Sequence, residues 1–139
     1  MSGKRPPGFL QKKECPNCGE EHNVSNLPRH QRACEERSKY EHIFNKKISL
    51  MELKSFRNGL RRTFNLTLEQ YAELYDTQEG KCAICKKKQV EHKNALSVDH
   101  CHSTGKVRGL LCDKCNLGLG LFQDDVESLE RAVYYLKGT

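Results

Sequence analysis

The sequence predicts a small α+β protein stabilised by zinc, in which an N-terminal zinc finger and several helices accompany a unit of two strands and one helix (ββα). Three observations support this class. Only 36% of the 139 residues are hydrophobic, and so short and polar a chain usually needs cross-links or metals for stability. Seven of the eight cysteines have the spacings of metal ligands. Two short strand-like runs lie between the last two cysteine pairs.

Composition also limits the compartment and the partners. The N-terminus carries no apolar run of the kind found in secretory signals, and no stretch approaches the roughly 20 apolar residues of a membrane span. We therefore expect a cytoplasmic protein that is not secreted and has no membrane partner. Paired cysteines in a reducing cytoplasm bind metal more often than they form disulfides. The net charge of +6 suits a polyanion such as DNA, although charge alone is a weak indication.

The N-terminal third predicts a basic arm followed by a zinc finger. Residues 1–12 are rich in Lys, Arg, Pro and Gly, which is typical of a disordered arm. Residues 13–45 are interpreted as the finger and its helix, because Pro28 stands where a first helical position is expected. The predicted zinc ligands are three cysteines and one histidine: Cys15, Cys18, His30 and Cys34.

Two histidines compete for the fourth position in this finger. His30 stands four residues before Cys34, so both side chains face the same side of the predicted helix, as the second ligand pair of a zinc finger does. His22 is closer to Cys18 but has no partner at helical spacing. We favour His30.

Residues 46–64 predict a basic linker helix. Ser49 and Glu52 have the spacing of a capping box. Apolar residues recur every three or four positions, at Leu53, Phe56, Leu60 and Phe64. The other faces carry the basic residues Arg57, Arg61 and Arg62, which we consider as DNA contacts. A core-facing helix with a solvated basic side and a DNA-binding helix are compatible interpretations.

A further domain is predicted over residues 65–139. It opens with a second capping box, Thr67 with Gln70, on a helix that runs to about Asp76, and Gly80 is a natural stop. The remaining elements are predicted as strands over residues 95–98 and 107–111, a turn at 103–105 and a helix from about Asp113. The last helix is predicted to be capped by Asp124 with Glu127 and to carry Val126, Leu129, Val133 and Leu136 on one face.

Two cysteine pairs within this domain predict a structural zinc site. The four thiols are those of Cys82, Cys85, Cys112 and Cys115, with 26 residues between the pairs. Two such pairs supply the four thiolates of a closed tetrahedral zinc site. Cys101 is left over, and we interpret it as a small residue in a tight turn rather than as part of a site.

Three residues near this frame have the chemistry needed to hydrolyse a phosphodiester. Histidine accepts a proton near physiological pH, so His100 suits the activation of water. Asp99 and Asn116 offer the oxygen ligands that Mg²⁺ prefers, and Asn116 follows Cys115 directly. A catalytic Mg²⁺ or Mn²⁺ would then be separate from the two structural Zn²⁺ ions.

The chain resembles the recombination endonuclease VII family of phage-type nucleases, which belongs to the HNH or His-Me finger (ββα-metal) group. The resemblance covers residues 65–138 and is carried by four segments in order: the CAIC knuckle, the Asp99-His100 pair, the VRGLLC strand and the CDKCN helix start. It implies a nuclease domain over residues 65–139, with cleavage that leaves a 5′-phosphate and a 3′-hydroxyl.

The resemblance also implies residue roles. Asp99 and Asn116 would hold the catalytic metal, His100 would be the general base, and His102 would help to position the scissile phosphate. Arg108 and Lys106 are further candidates for phosphate contacts. If the gene belongs to a phage, the compartment is the host cytoplasm.

The chain departs from the family pattern in ways that widen the choice of substrate. Cys101 stands where the family has an aspartate. The sequence given ends at Thr139, so we expect no counterpart of the longer C-terminal region linked to dimerisation and junction binding in the family. We therefore expect double-stranded or branched DNA as the partner, with a homodimer as an option. The alternative is a zinc-dependent DNA-binding or adaptor module without catalysis, since phosphate contacts alone give nonspecific affinity.

Overall fold

A computed structural model describes residues 11–44, 46–92 and 94–138, and its mixed strands and helices confirm the α+β class. The elements in chain order are β1 (Lys12–Glu14), β2 (Glu21–Asn23), α1 (Leu27–Tyr40), α2 (Leu50–Phe64), α3 (Leu68–Thr77), β3 (Ser97–His100), β4 (Val107–Leu111), α4 (Asp113–Leu121) and α5 (Val126–Lys137). Single 3-10 turns lie at Glu41–Ile43 and Gln89–Glu91. None of the helices in these ranges has the length and apolar character needed to cross a membrane.

The N-terminal part is an antiparallel hairpin of β1 and β2 followed by α1. Most of the predicted arm at residues 1–12 lies outside the described residues, and its last residue, Lys12, begins β1. Asn26 is the N-cap of α1, and Pro28 lies in its first turn, one position after the predicted first position. A proline is tolerated there because the first N–H groups of a helix have no partner within the helix.

Both predicted capping boxes form. Ser49 Oγ accepts from the backbone N–H of Glu52 at 3.2 Å, and the Glu52 carboxylate accepts from the Ser49 N–H at 2.8 Å. Thr67 and Gln70 make the same reciprocal pair at the start of α3. Each box satisfies two N–H groups that a helix start would otherwise leave unpaired.

One continuous hydrophobic core extends from the end of α1 to β4. Its fully buried members include Ile43, Leu68, Tyr71, Leu96 and Leu110. The helix predicted as a basic linker, α2, contributes Leu53 and Leu60 to this core, while Arg61 and Arg62 stay exposed. The apolar stripe of α2 therefore faces the core, and its basic side is solvated.

The strands β3 and β4 pair antiparallel, with Asp99 opposite Gly109 and an irregularity between Asp99 and His100. β3 begins at Ser97, two residues later than the predicted strand at 95–98, and reaches His100. The reason lies at Leu96, whose carbonyl accepts from Tyr71 Oη at 2.6 Å and whose N–H donates to Gln89 Oε1 at 3.4 Å. Side chains thus satisfy the backbone where a strand partner was expected.

The last helix differs from its prediction at the first residue. Asp125, not Asp124, is the N-cap of α5, because the Asp125 carboxylate accepts from the N–H of Ser128 at 3.0 Å. Asp124 accepts a hydrogen bond from Arg108 instead. The apolar face of α5 contributes no buried residue, and Val126, Val133 and Leu136 are exposed.

Candidate active site and metal centres

The four cysteines of the C-terminal half converge on one point. Their ligand atoms all lie within 4.8 Å of one another, and Cys85 Sγ is 3.9 Å from Cys112 Sγ. A tetrahedral site with Zn–S bonds of about 2.3 Å has edges of about 3.8 Å. The donor set and its spacing therefore fit Zn²⁺. Cys112 is the N-cap of α4 and Cys115 lies in its first turn, so this centre joins α4 to the knuckle after α3.

The environment makes the thiols of this cluster unequal. Burial raises the pKa of Cys115 to about 12, with a further increase from hydrogen bonds to neighbouring thiols. Burial also opposes ionisation of Cys82, but hydrogen bonds from the backbone of Cys112, Cys85 and Ile84 lower its pKa to about 7. Zinc binds thiolates, so binding must displace at least the Cys115 proton at neutral pH.

The N-terminal cluster brings together Cys15, Cys18, His30 and Cys34, again within 4.8 Å. His30 Nε2 lies 3.1 Å from Cys18 Sγ and 3.2 Å from Cys34 Sγ. The rival His22 stacks its ring on that of His30 at 3.6 Å between centroids. Glu20, His22 and His30 form a second possible ligand group. The thiols of all three cysteines, however, lie close to His30. This cluster could hold zinc with the predicted ligands.

His100 ends β3 and contacts two rings. Its imidazole meets the Phe64 ring edge-on, with centroids 5.3 Å apart at 70°, and lies 4.9 Å from the ring of His102. Phe64 is the last residue of α2, so the helix that carries Arg61 and Arg62 ends beside His100. His102 is in the turn after β3 and is mostly exposed.

The four-cysteine frame positions Asn116. It follows Cys115, and its backbone N–H donates to the Cys112 carbonyl at 3.0 Å. Asn116 lines a cavity of about 430 Å³ together with Phe64 and Val98. Phe64 thus contacts His100 and shares a cavity with Asn116.

Asp99, which the sequence predicts as a metal ligand, is paired with an arginine in the structure. Arg108 holds it from β4: Nε donates to Asp99 Oδ2 at 2.7 Å and Nη2 donates to Oδ1 at 3.0 Å. Nη2 also donates to Asp124 Oδ2 at 3.1 Å. The hydrogen bonds to Asp99 raise the pKa of Arg108 above its ordinary range. The guanidinium is a permanent cation that occupies both oxygens of Asp99.

The predicted site residues therefore meet in two groups. His100 contacts Phe64 and His102, and Asn116 lines a cavity with Phe64. Asp99 lies with Arg108 and Asp124. Within residues 11–44, 46–92 and 94–138, no hydrogen bond links Asp99 to Asn116, and their side chains line different cavities. The donor types still suit Mg²⁺, since both are hard oxygens.

Sequence reasoning missed three residues that shape the site. Asp124 resembled a helix cap, and its position next to Asp125 conceals its contact with Arg108. Phe64 resembled an ordinary core residue. Gln78 gave no signal, yet its amide donates to the Leu110 carbonyl at 2.9 Å and accepts from the Leu110 N–H at 2.8 Å, which attaches β4 to the end of α3.

The predicted DNA contacts have unequal surroundings. Arg57 Nη1 donates to both carboxylate oxygens of Glu36, at 2.8 and 3.0 Å. Arg61, Arg62 and Lys106 are exposed, and the described part of the chain gives none of them an ion pair. Arg61, Arg62 and Lys106 are therefore more accessible to a phosphate than Arg57, which is already paired with Glu36.

Cys101 lies outside both cysteine clusters, in the turn between β3 and β4. Its Sγ is 3.0 Å from Ser103 Oγ. Hydrogen bonds from Ser103 and Thr104 lower the pKa of this thiol to about 6. The turn position is the one that the sequence predicts.

Comparison with known proteins finds a family profile and phage relatives. The profile of the family described as recombination endonuclease VII matches residues 57–138. The Gene 59 protein of Mycobacterium phage D29 is 44% identical over 84 residues, which are 60% of this chain and 50% of the phage protein. The Gene 59 protein of Mycobacterium phage L5 is 42% identical over 83 residues, 59% of this chain and 50% of its own length. The chain thus spans about half the length of these curated relatives. No solved structure matches the chain.

Proposed function

Since the chain belongs to the recombination endonuclease VII family, we propose that it is a metal-dependent endonuclease that hydrolyses phosphodiester bonds in double-stranded or branched DNA. The observation that carries the proposal is the contact of His100 with both Phe64 and His102, together with Asn116, which lines a cavity with Phe64 and follows the last thiol of the four-cysteine frame. A histidine pair and an amide in such a frame are more than a binding module requires. The family suggests a nuclease, and the site offers the groups that a nuclease needs.

In the proposed reaction, His100 accepts the proton of the attacking water. The water oxygen bonds to phosphorus as the bond from phosphorus to the 3′-oxygen breaks. The departing 3′-oxygen takes a proton from solvent water, so the products are a 5′-phosphate and a 3′-hydroxyl. His102, 4.9 Å away between ring centroids, would face the same phosphate. The Phe64 ring restrains the imidazole of His100, so the base needs no reorganisation when substrate binds.

Asp99 and Asn116 would hold a Mg²⁺ or Mn²⁺ ion in the proposed enzyme. When bound, such an ion stabilises negative charge on the phosphate and on the leaving oxygen. Asn116 is ready for this role because the zinc frame fixes its backbone. Asp99 would first have to exchange its contact with Arg108.

Cleavage of supercoiled plasmid by the zinc-loaded chain with Mg²⁺ tests the proposal. We expect nicked product from the wild type, and a decrease of about 10²–10⁴-fold in His100→Ala, which is the usual contribution of a general base. His42→Ala is the matched control, because His42 contacts Lys39, Tyr75 and Asp76 rather than the site. A four-way junction and a linear duplex in parallel would define the substrate. Equal rates for His100→Ala and wild type would refute the assignment.

A non-catalytic DNA-binding or adaptor module is the second candidate, and one observation favours it. The bidentate pair with Arg108 engages both carboxylate oxygens of Asp99, the residue expected to hold the metal. Such a module would bind DNA without Mg²⁺ and would produce no nick with any of the three substrates.

A further inference from the structure

Arg108 bridges two carboxylates from different parts of the chain. It is on β4, Asp99 is on the paired strand β3, and Asp124 precedes α5. The Asp99 and Asp124 side chains are 11% and 20% exposed, against 38% for Arg108. One cation therefore holds two largely covered anions, while its outer side reaches solvent.

The two contacts of Arg108 are not equivalent. Asp99 receives two hydrogen bonds in the fork arrangement that favours arginine–carboxylate pairs. Asp124 receives one, from the same Nη2 atom that serves Asp99. If Asp99 were taken by another cation, Asp124 could retain the guanidinium.

The Asp124 carboxylate faces Arg108 and His102. The φ of Asp124, +56°, lies in the left-handed region, which aspartate visits more readily than most residues. Asp124 does not cap α5, since Asp125 does. Asp124 also approaches His102, with its Oδ2 at 3.8 Å from Nε2, and lines a cavity with Arg108 and His102.

From these contacts we propose that Arg108 is an exchangeable occupant of the metal site. It holds the Asp99 carboxylate until a divalent cation takes it, and Asp124 then keeps the guanidinium at the edge of the site, facing the cavity that His102 lines. The inference rests on the proposed function, because it takes Asp99 as a metal ligand. Asp124 is accordingly a positioning residue.

Mn²⁺ binding to the zinc-loaded full chain, measured without DNA by the electron paramagnetic resonance signal of free Mn²⁺, tests the exchange. Arg108→Lys is the decisive variant because it keeps the charge but loses the fork. We expect Arg108→Lys and Arg108→Gln to bind Mn²⁺ more tightly than the wild type, the latter by about tenfold, the equivalent of one charge-assisted pair. Arg131→Gln, which removes an arginine paired with Asp125 and Glu127, should leave the affinity unchanged.

A second measurement uses the wild type and so does not depend on how a variant folds. The Arg108 Nε–H group donates to Asp99 Oδ2, and its ¹⁵N–¹H resonance should move when Mg²⁺ is added. An unmoved resonance, or a wild-type affinity in Arg108→Lys, would overturn the exchange. An unchanged affinity in Asp99→Asn would instead remove Asp99 from the metal site and contradict the proposed function itself.

Discussion

The ring of Phe64 meets the imidazole of His100 edge-on, with 5.3 Å between centroids. This contact joins the end of α2 to the end of β3. It therefore connects a helix whose exposed side is basic to the residue proposed as the general base. Several expectations follow from this contact and from the ones around it.

Phe64→Leu should lower the cleavage rate by about tenfold, because a shift of the base by a fraction of an ångström reduces the rate while the core volume stays nearly the same. Single-turnover plasmid nicking measures the effect. Phe44→Leu is the control, since Phe44 has a similar edge-on contact with Phe56 but none with His100. Equal losses in both variants would mean that general packing, rather than the His100 contact, sets the rate.

Cys112→Ser should unfold the core that extends from the end of α1 to β4, because Cys112 belongs to that core and the binding energy of a structural zinc is folding energy in small metallodomains. Far-ultraviolet circular dichroism during thermal melting measures this. Cys101→Ser makes the same exchange outside both clusters and should melt like the wild type. If Cys112→Ser retains the wild-type transition, the zinc site is not structural.

Zinc affinity should fall as the pH is lowered from 8 to 6. Burial raises the pKa of Cys115 and of Cys34 to about 12, so both thiols are protonated throughout this range and zinc must displace their protons. Calorimetric titration of the metal-free chain in buffers of different ionisation enthalpy would count the protons released. A heat that is independent of the buffer would contradict the expectation.

His30→Ala should reduce the zinc content from two ions per chain to one, whereas His22→Ala should leave two. The reason is that two thiols lie within 3.2 Å of His30 Nε2, while His22 stacks on the ring of His30. Elemental analysis after gel filtration gives the stoichiometry. The reverse result would assign the fourth ligand to His22.

Arg61→Ala and Arg62→Ala should each weaken DNA binding and reduce the slope of log affinity against log salt by about 1. Arg57→Ala should change the slope less, because its guanidinium is already paired with the Glu36 carboxylate. Fluorescence anisotropy with a labelled duplex, at several salt concentrations, compares the three. Identical slopes would show that the Glu36 pair does not withhold Arg57 from DNA.

Local signals predicted much of this fold. The Ser49–Glu52 and Thr67–Gln70 boxes need only residues three positions apart, and both form as predicted. The cysteine spacings likewise predicted both clusters, because metal geometry leaves few alternatives. Contacts between distant segments were not predictable in this way. Gln78 is attached to Leu110 across 32 positions, and nothing in either neighbourhood indicates it.

In the candidate site, too, local signals were predictable and contacts between distant segments were not. His100 and Asn116 could be named from residue chemistry and family resemblance, but the Phe64 contact required the structure. The sequence favours Asp124 as the cap of α5, because Glu127 stands three positions after it. Only Asp125 reaches the Ser128 N–H, and Asp124 meets Arg108 instead. Backbone conformation decided between them.

The two ligand pairs of the C-terminal zinc site enclose the 26 residues that contain both strands, Asp99 and His100. The proposed catalytic histidine therefore leaves the ribosome before the last two thiols do. Until Cys115 has emerged and metal has been acquired, the four thiols cannot hold the two strands to the start of α4. A chain that is half-made, or made without zinc, should therefore lack the proposed nuclease activity.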